Sequence, residues 1–397
     1  MIDEKRIINN LKAFSFPRLS GTEGEKKAFN LALSILKNLD LDPVVQEFTF
    51  STFFSRVYQK IALSSGFLLL FILFLNIEAV FFFYTVLAIF LILIVLFIIT
   101  RNPEKINFGK KLISHNIFVK LASISDKFEE NVNDTRDFQE NDKNILFLCH
   151  LDSKSQRLTI GTRIKSYRIW VFSALTTFII IILKNYVSFF MPYTLVFYII
   201  GTIPLLLNLY ATILININTT NNISNGAIDN ASGIAIVLEL LNTYVNSNSR
   251  LKNHNLWFIF TGAEECGTMG VRHFYNNEIK NLDRNKSIPL NFDAIGKNIY
   301  PFPSKKIAKI NNFFLNSFIK NSEKLNLKKN PKRIYFGSHS DGWFLGKKGF
   351  VGIGFGDMAS YRYIHSINDT VDKVDPILLK MLCEALIGAL AELDNHT

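Results

Sequence analysis

Two stretches of the chain abandon the usual mixture of apolar and polar positions. Residues 61–100 contain one acidic residue, Glu78, and no basic one, a run long enough for two spans of about 20 residues that turn at 76–78. A second block, residues 169–217, is broken by Lys184 and Asn185 and later by Pro192 and Pro204. It again fits two spans, the first of them short. Four segments so long and so poor in charge predict two membrane hairpins rather than buried core. Elsewhere Ala28, Leu31, Leu33, Ile35 and Leu36 recur at helical spacing and predict a helix over 22–39, while 44–50 reads as a strand. Residues 116–121, 145–149, 256–260, 288–292 and 350–355 read as further strands, and 231–244, 307–325 and 376–393 as helices. Charged and Asn-rich residues up to 143 read as a loop, and the polar tract 216–225 as a link back from the second block. This alternation predicts an α/β fold, a mostly parallel central sheet with helices on both faces, plus four inserted transmembrane helices. The expected division is one soluble domain assembled from 1–58, 101–165 and 218–397, interrupted by a hairpin at 59–100 and another at 166–217.

Charge sharpens the membrane reading. The 397 residues carry a formal net charge of +11. Their lysines are scattered among Asn and Ile rather than gathered into a stripe with interleaved aromatics, so no nucleic-acid partner is expected and a membrane surface is. Basic residues gather where the hydrophobic blocks join the soluble domain: Arg56, Lys60, Arg101, Lys105, Arg163, Lys165 and Arg168. The far turns hold Glu78 and Lys184. The positive-inside rule then expects the soluble domain in the cytoplasm. The opening residues, Met1 to Arg6, do not resemble a secretory signal. Cys149, Cys266 and Cys383 have no CxxC spacing, which argues against a disulfide framework and for core packing.

Three predicted strands run directly into residues able to bind metal. The first leads into His150-Leu151-Asp152-Ser153, the second into Thr261-Gly262-Ala263-Glu264-Glu265, and the third into Asp293. In open parallel sheets the functional crevice lies at the carboxyl ends of the strands. One carboxylate after a strand is usually a turn former or helix cap; three such placements point to a site. Asp229 opens a predicted helix, where it or Asn230 would serve as an N-cap, and His365 stands late in the chain.

The ordered set HLDS at 150–153, GAIDNASG at 226–233, TGAEECGTMG at 261–270, NFDAIG at 291–296 and IHSINDT at 364–370, with FPRLSGTEG at 16–24 before it, resembles the co-catalytic di-zinc aminopeptidases and their relatives, metallopeptidase family twenty-eight of clan MH. The resemblance covers nearly all of the chain outside the hydrophobic blocks. It implies a zinc exopeptidase, phosphorylase/hydrolase-like fold and two Zn2+ ions per chain. One ion is held by His150 and Asp293, the other by Glu265 and His365, and Asp229 bridges both. Asp152 would orient His150, and Glu264 would act as general base on the attacking water. The implied substrate is a peptide cut from one end, with an aminopeptidase expected first. The motifs leave open a carboxypeptidase, a glutaminyl cyclase-like enzyme on the same fold, or a non-catalytic membrane receptor; retention of His150 with Asp293 speaks against the cyclase. They do not give the preferred side chain or the oligomeric state.

Two departures bear on the substrate pocket rather than the metal set. Relatives often carry Ser-Asp-His downstream, whereas this chain has Ser338-His339-Ser340-Asp341-Gly342, and a Tyr that can precede the last metal histidine is here Ile364. His115, His254 and His273 match no family position and are expected to be structural or on the surface.

Overall fold

The computed structural model describes residues 2–76, 80–125, 142–187, 192–245, 250–323 and 340–396. The expected turn at 76–78, apart from Asn76, lies outside them, as do most of the Asn-rich loop, residues 324–325 of the expected helix 307–325, and His339. The chain resolves into two compact units. The first comprises 1–50, 112–155 and 222–397, the second 51–111 and 156–221. The second unit therefore takes in more residues on both flanks than the hydrophobic runs alone.

The first unit is built on a seven-stranded sheet of β1 Val44–Ser51, β2 Lys111–Leu121, β3 Asn144–His150, β4 Asn255–Thr261, β5 Ser287–Phe292, β6 Tyr300–Pro303 and β7 Ile353–Gly356, in the spatial order β1-β2-β4-β3-β5-β7-β6. The four central strands β4-β3-β5-β7 run parallel. β2 pairs antiparallel with β4, and β6 antiparallel with β7. Every residue of β3, β4 and β5 is buried, which is why these segments read as near-continuous apolar runs instead of alternating ones. Because β4, β3 and β5 are adjacent and parallel, the segments that follow them emerge on one edge of the sheet.

Helices α1 Glu4–Phe14, α2 Glu23–Asn38, α7 Ser232–Val245, α8 Met269–Phe274, α9 Ile307–Ile310, α10 Asn312–Asn321, α11 Asp341–Lys347 and α12 Pro376–His396 complete this unit. In α1, which hydrophobic spacing alone did not reveal, Asp3 caps the first turn by accepting from Lys5 N at 2.9 Å, and Ile7, Leu11 and Phe14 line one fully buried face. The helix is tied down by Arg6, whose Nε meets the buried Glu239 Oε2 of α7 at 2.6 Å. The single helix expected over 307–325 is instead two. Asn311 leaves helical geometry (φ −124°, ψ 44°) and donates from Nδ2 to Val351 O at 3.1 Å, a side-chain bond that competes with helix continuation. Strand β6 was also unforeseen. Its Pro301 and Pro303 cannot donate to a ladder, and it survives because it lies at the sheet edge.

The second unit holds α3 Gln59–Leu75, α4 Val80–Ile99, α5 Ile160–Tyr186 and α6 Thr194–Ile217. With the turn that precedes α3, these are four helices long and apolar enough to cross a membrane: Phe54–Leu75, Val80–Ile99, Ile160–Tyr186 and Thr194–Ile217. The third is not short. It begins at Ile160, where Thr159 caps it by accepting from Thr162 N, and its first turns are polar and so invisible to hydropathy. Inside the unit Lys184 Nζ donates to Phe74 O at 2.7 Å and stands 3.7 Å from the Tyr198 ring. Asn208 Nδ2 donates to Trp170 O at 2.8 Å and to Ser173 Oγ at 3.0 Å.

The register of β5 with β7 depends on Gly352. A Cβ there would stand 1.8 Å from Pro289 O, a backbone atom of β5. Gly352→Ala is expected to cost about 1–3 kcal/mol and to lower the thermal midpoint of the detergent-solubilised protein; an unchanged midpoint would contradict this packing.

Candidate metal centre

The parallel strands deliver their following residues to one place. His150 ends β3, Glu264 and Glu265 follow β4, Asp293 follows β5, and the loops before α7 and α12 bring in Asp229 and His365. His150 Nε2 lies 3.1 Å from Asp229 Oδ1 and 3.5 Å from Asp293 Oδ1. His365 Nε2 lies 3.1 Å from Asp229 Oδ2 and 2.9 Å from Glu265 Oε1. Two groups result, His150-Asp229-Asp293 and Asp229-Glu265-His365, each with ligand atoms within 4.8 Å of one another and with Asp229 common to both.

These separations suit a shared cation. Donors about 2.0–2.2 Å from a tetrahedral ion stand roughly 3.3–3.6 Å from each other, close to the two distances at His150 and slightly beyond those at His365. His150 Nε2 and Glu265 Oε1 are buried with only each other's ligand groups for partners, and the buried Glu264 Oε1 makes no hydrogen bond. Nitrogen and carboxylate oxygen together are the donor set of a borderline divalent cation.

Backbone geometry serves the same convergence. Of the non-glycine residues with positive φ, Ala263, Thr268, Ala294 and His365 (φ 51–59°) all lie in these segments, a sparsely populated conformation that persists only when surrounding contacts enforce it. Other contacts fix the neighbouring segments. Asn230 donates from Nδ2 to Phe292 O at 2.8 Å and accepts from Gly233 N at 3.1 Å, joining the Asp229 loop to the end of β5. Asp369 accepts from Ile228 N at 2.6 Å and from Asp229 N at 3.3 Å.

Asp152 was expected to orient His150, and it lies against the Nδ1 side of that ring. The imidazole Nδ1 is nearest the Asp152 carbonyl oxygen, at 3.0 Å, and 3.5 Å from the carboxylate. The carboxylate also accepts from Glu264 N at 3.0 Å, Glu265 N at 3.1 Å and Ser20 Oγ at 2.7 Å. It orients the two glutamates through their backbone.

Electrostatics divides the carboxylates. Burial and the charges of Asp293, Glu265 and Asp341 push Glu264 well above the usual range, with His150 opposing. Burial works against ionisation of Glu265 too, but His365 and Lys154 bring it down to about 2; Lys154 Nζ stands 2.5 Å from Glu265 Oε2. Asp229, despite burial, is held far down by His150 and His365. Burial lowers both histidines, yet their carboxylate partners raise them above the ordinary value.

Several residues beside the centre carried no role in the sequence reading. Asp341, inside the segment where a histidine was sought, is buried, accepts from Thr261 Oγ1, and leaves Oδ1 without a partner; burial pushes it up to about 7. The Tyr361 phenol is pushed up by burial and the charges of Asp293, Asp229, Asp357 and Glu264. Neither could be found by strand-end placement, since both precede His365 in irregular or newly begun segments. His254 pairs with Asp394 at 2.8 Å and His273 stacks on Phe48, so both are structural; His115, on β2, meets Glu47 at 3.2 Å.

A parallel sheet with acid, base and cation-binding groups massed at its carboxyl edge defines a metal-dependent hydrolase. Residues 212–390 match the model of Peptidase family M28. Solved structures with the same fold include the zinc aminopeptidase BSAP of Bacillus subtilis (13% identity, 99% of this chain and 96% of that one, TM-score 0.56) and an aminopeptidase from Aneurinibacillus sp. strain AM-1 (15%, 98% and 93%, 0.54). A glutaminyl cyclase from Fimbriiglobus ruber is similar to the same extent (12%, 98% and 95%, 0.53). No curated protein matches.

Glu25 offers a test of the electrostatics around the centre. It accepts from Gly21 N at 2.6 Å and from Ser114 Oγ, and burial together with the charge of Asp152 pushes it up to about 7. The folded state therefore holds a proton that the unfolded state releases between about pH 4.5 and pH 7, so this group's contribution to stability falls as pH rises through that window. Glu25→Gln is expected to flatten the fall in thermal midpoint between about pH 5 and pH 7.5; parallel curves for the two proteins would refute the assignment.

Proposed function

We propose that the chain is a membrane-anchored zinc exopeptidase, acting as an aminopeptidase with two Zn2+ ions per chain. The observation that carries this reading is the pair of ligand groups sharing Asp229, with the unpaired Glu264 carboxylate beside them. His150 and Asp293 would hold one ion, Glu265 and His365 the other, and Asp229 would bridge. Bound zinc would supply Lewis-acid polarisation of the scissile carbonyl and a lowered pKa for water. Glu264 takes the proton of the attacking water and passes it to the leaving amine. The positive charge of the bound ions would favour the ionised form of Glu264 that this step needs, against the burial that opposes it. Asp152 keeps Glu264 and Glu265 in their separate orientations through the two backbone N–H bonds. Lys154 balances the second oxygen of Glu265.

The four apolar helices are read as two hairpins that cross the bilayer and return. With basic residues concentrated where they leave the membrane, the catalytic unit lies on the cytoplasmic side. The substrate is a peptide met at or near the membrane.

Glu264→Gln should retain both ions, because Glu264 is not a ligand, while turnover falls by about 10²–10⁴. Asp229→Asn should lose metal most severely of the five ligand changes. Metal content by elemental analysis, and cleavage of peptides blocked at one end or the other with and without chelator, decide the matter. A fully loaded chain with one ion, or ring closure of an amino-terminal glutamine without peptide cleavage, would overturn the aminopeptidase reading.

A further inference from the structure

The helical unit contains eleven Lys and Arg residues against two Glu, so it carries +9 of the chain's formal +11. Ten of the eleven lie in the segments that precede or follow the apolar helices or in the first turns of α3 and α5. The exception, Lys184, is already engaged by Phe74 O and the Tyr198 ring. Within this unit a cavity of about 220 Å³ opens between the start of α3, the start of α5 and the end of α6. Arg56, Gln59, Lys60, Gln156 and Tyr167 are among its lining residues, and no carboxylate is. Two cations facing one small polar cavity, without an anion, are electrostatically incomplete.

We propose that this cavity binds the phosphate of an anionic phospholipid headgroup, an inference that rests on the membrane reading of the four helices. Neither Arg56 nor Lys60 makes a side-chain hydrogen bond or ion pair among the described residues. Tyr167 OH donates to Gln59 Oε1, which leaves the Gln59 amide nitrogen as a donor. The cavity thus offers a guanidinium, an ammonium and an amide, the donors that a phosphate oxygen takes. Its volume is below the roughly 300–1,000 Å³ of pockets that hold whole organic ligands and suits a headgroup whose remainder lies outside.

Surroundings choose lipid over free phosphate. The lining residues stand at or near the ends of three candidate spans, which the membrane reading puts at the depth of the headgroups. Apolar side chains one residue from the cations and at the α6 terminus are exposed, Val57, Ile61 and Ile217 each at 39%. A molecule with a phosphate and acyl chains satisfies the cations and covers this rim together; inorganic phosphate satisfies only the first.

The test uses the full chain, purified in mild detergent, with native mass spectrometry of bound phosphatidylglycerol against phosphatidylcholine. Wild type should prefer phosphatidylglycerol by roughly tenfold or more, since two basic side chains act together. Arg56→Gln with Lys60→Gln should abolish the preference, and the charge-conserving pair Arg56→Lys with Lys60→Arg should keep it, which separates lost charge from lost fold. Millimolar inorganic phosphate should not displace the lipid. Equal retention of the two lipids by wild type, an unaltered preference in the Gln pair, or displacement by inorganic phosphate would overturn the site. Extraction of the chain from cell membranes by alkaline carbonate would instead defeat the membrane reading beneath it.

Discussion

The structure of the first unit is governed by the difficulty of burying many carboxylates together. Asp152, Asp229, Glu264, Glu265, Asp293 and Asp341 crowd the carboxyl edge of three adjacent strands. An ionised group taken out of water without partners costs several kcal/mol even after relaxation. The chain meets this in three ways. Backbone N–H groups satisfy Asp152, and Asp369 behind the Asp229 loop. Lys154 and the two imidazoles lend positive charge to Glu265 and Asp229. Glu264 and Asp341 are driven toward their neutral forms. The inward Glu264 Oε1 remains without a hydrogen-bond partner, and Ala263, with φ 51°, precedes it in the strained backbone of the same turn.

Arg18 links this centre to the amino terminus. It is fully buried and donates to the carbonyls of Phe14, Phe16, Leu151, Asn225 and Gly226. Burial lowers its pKa to about 10, while Asp369, Asp152, Asp229 and Glu265 sustain its charge. Leu151 adjoins His150, and Gly226 begins the loop that carries Asp229. One guanidinium thereby holds together the two chain segments between which residues 156–221 depart and return, so the approach of His150 to Asp229 is set within the first unit.

What could be read from the sequence was whatever has a local signature. The buried strands appear as apolar runs, so the residues just past them, His150, Glu264, Glu265 and Asp293, were identifiable by position. The apolar helices were visible by length, but the start of α5 was not, because Arg163, Lys165 and Arg168 carry it out of the hydrophobic stretch. Asn311 splits a predicted helix through a bond to Val351 forty residues away, and no window of sequence contains that partner. Asp152 could be placed beside His150, but its grip on the backbone of the two glutamates depends on β3 and β4 being neighbours. The same holds for Asp341, whose proximity to Thr261 follows from the order in which α11 and β4 are laid against the sheet.

The two hairpins enter the fold where their departure and return points are already side by side. β1 and β2, which flank residues 51–111, are neighbours in the sheet. Ser155 and residues 223–224, which flank the second insertion, are joined by Ser155 Oγ accepting from Ile223 N at 2.9 Å and Ser224 N at 3.3 Å. Closing a longer flexible loop costs only about 0.6 kcal/mol for each doubling of its length, and a hairpin that forms its own helices costs less than a flexible loop. Any pair of adjacent backbone ends can therefore accept a hairpin with little loss to the unit that hosts it, provided the hairpin returns to the side from which it left. Four candidate spans in two pairs would meet that condition, and it is consistent with His150 before the second apolar insertion lying 3.1 Å from Asp229 after it.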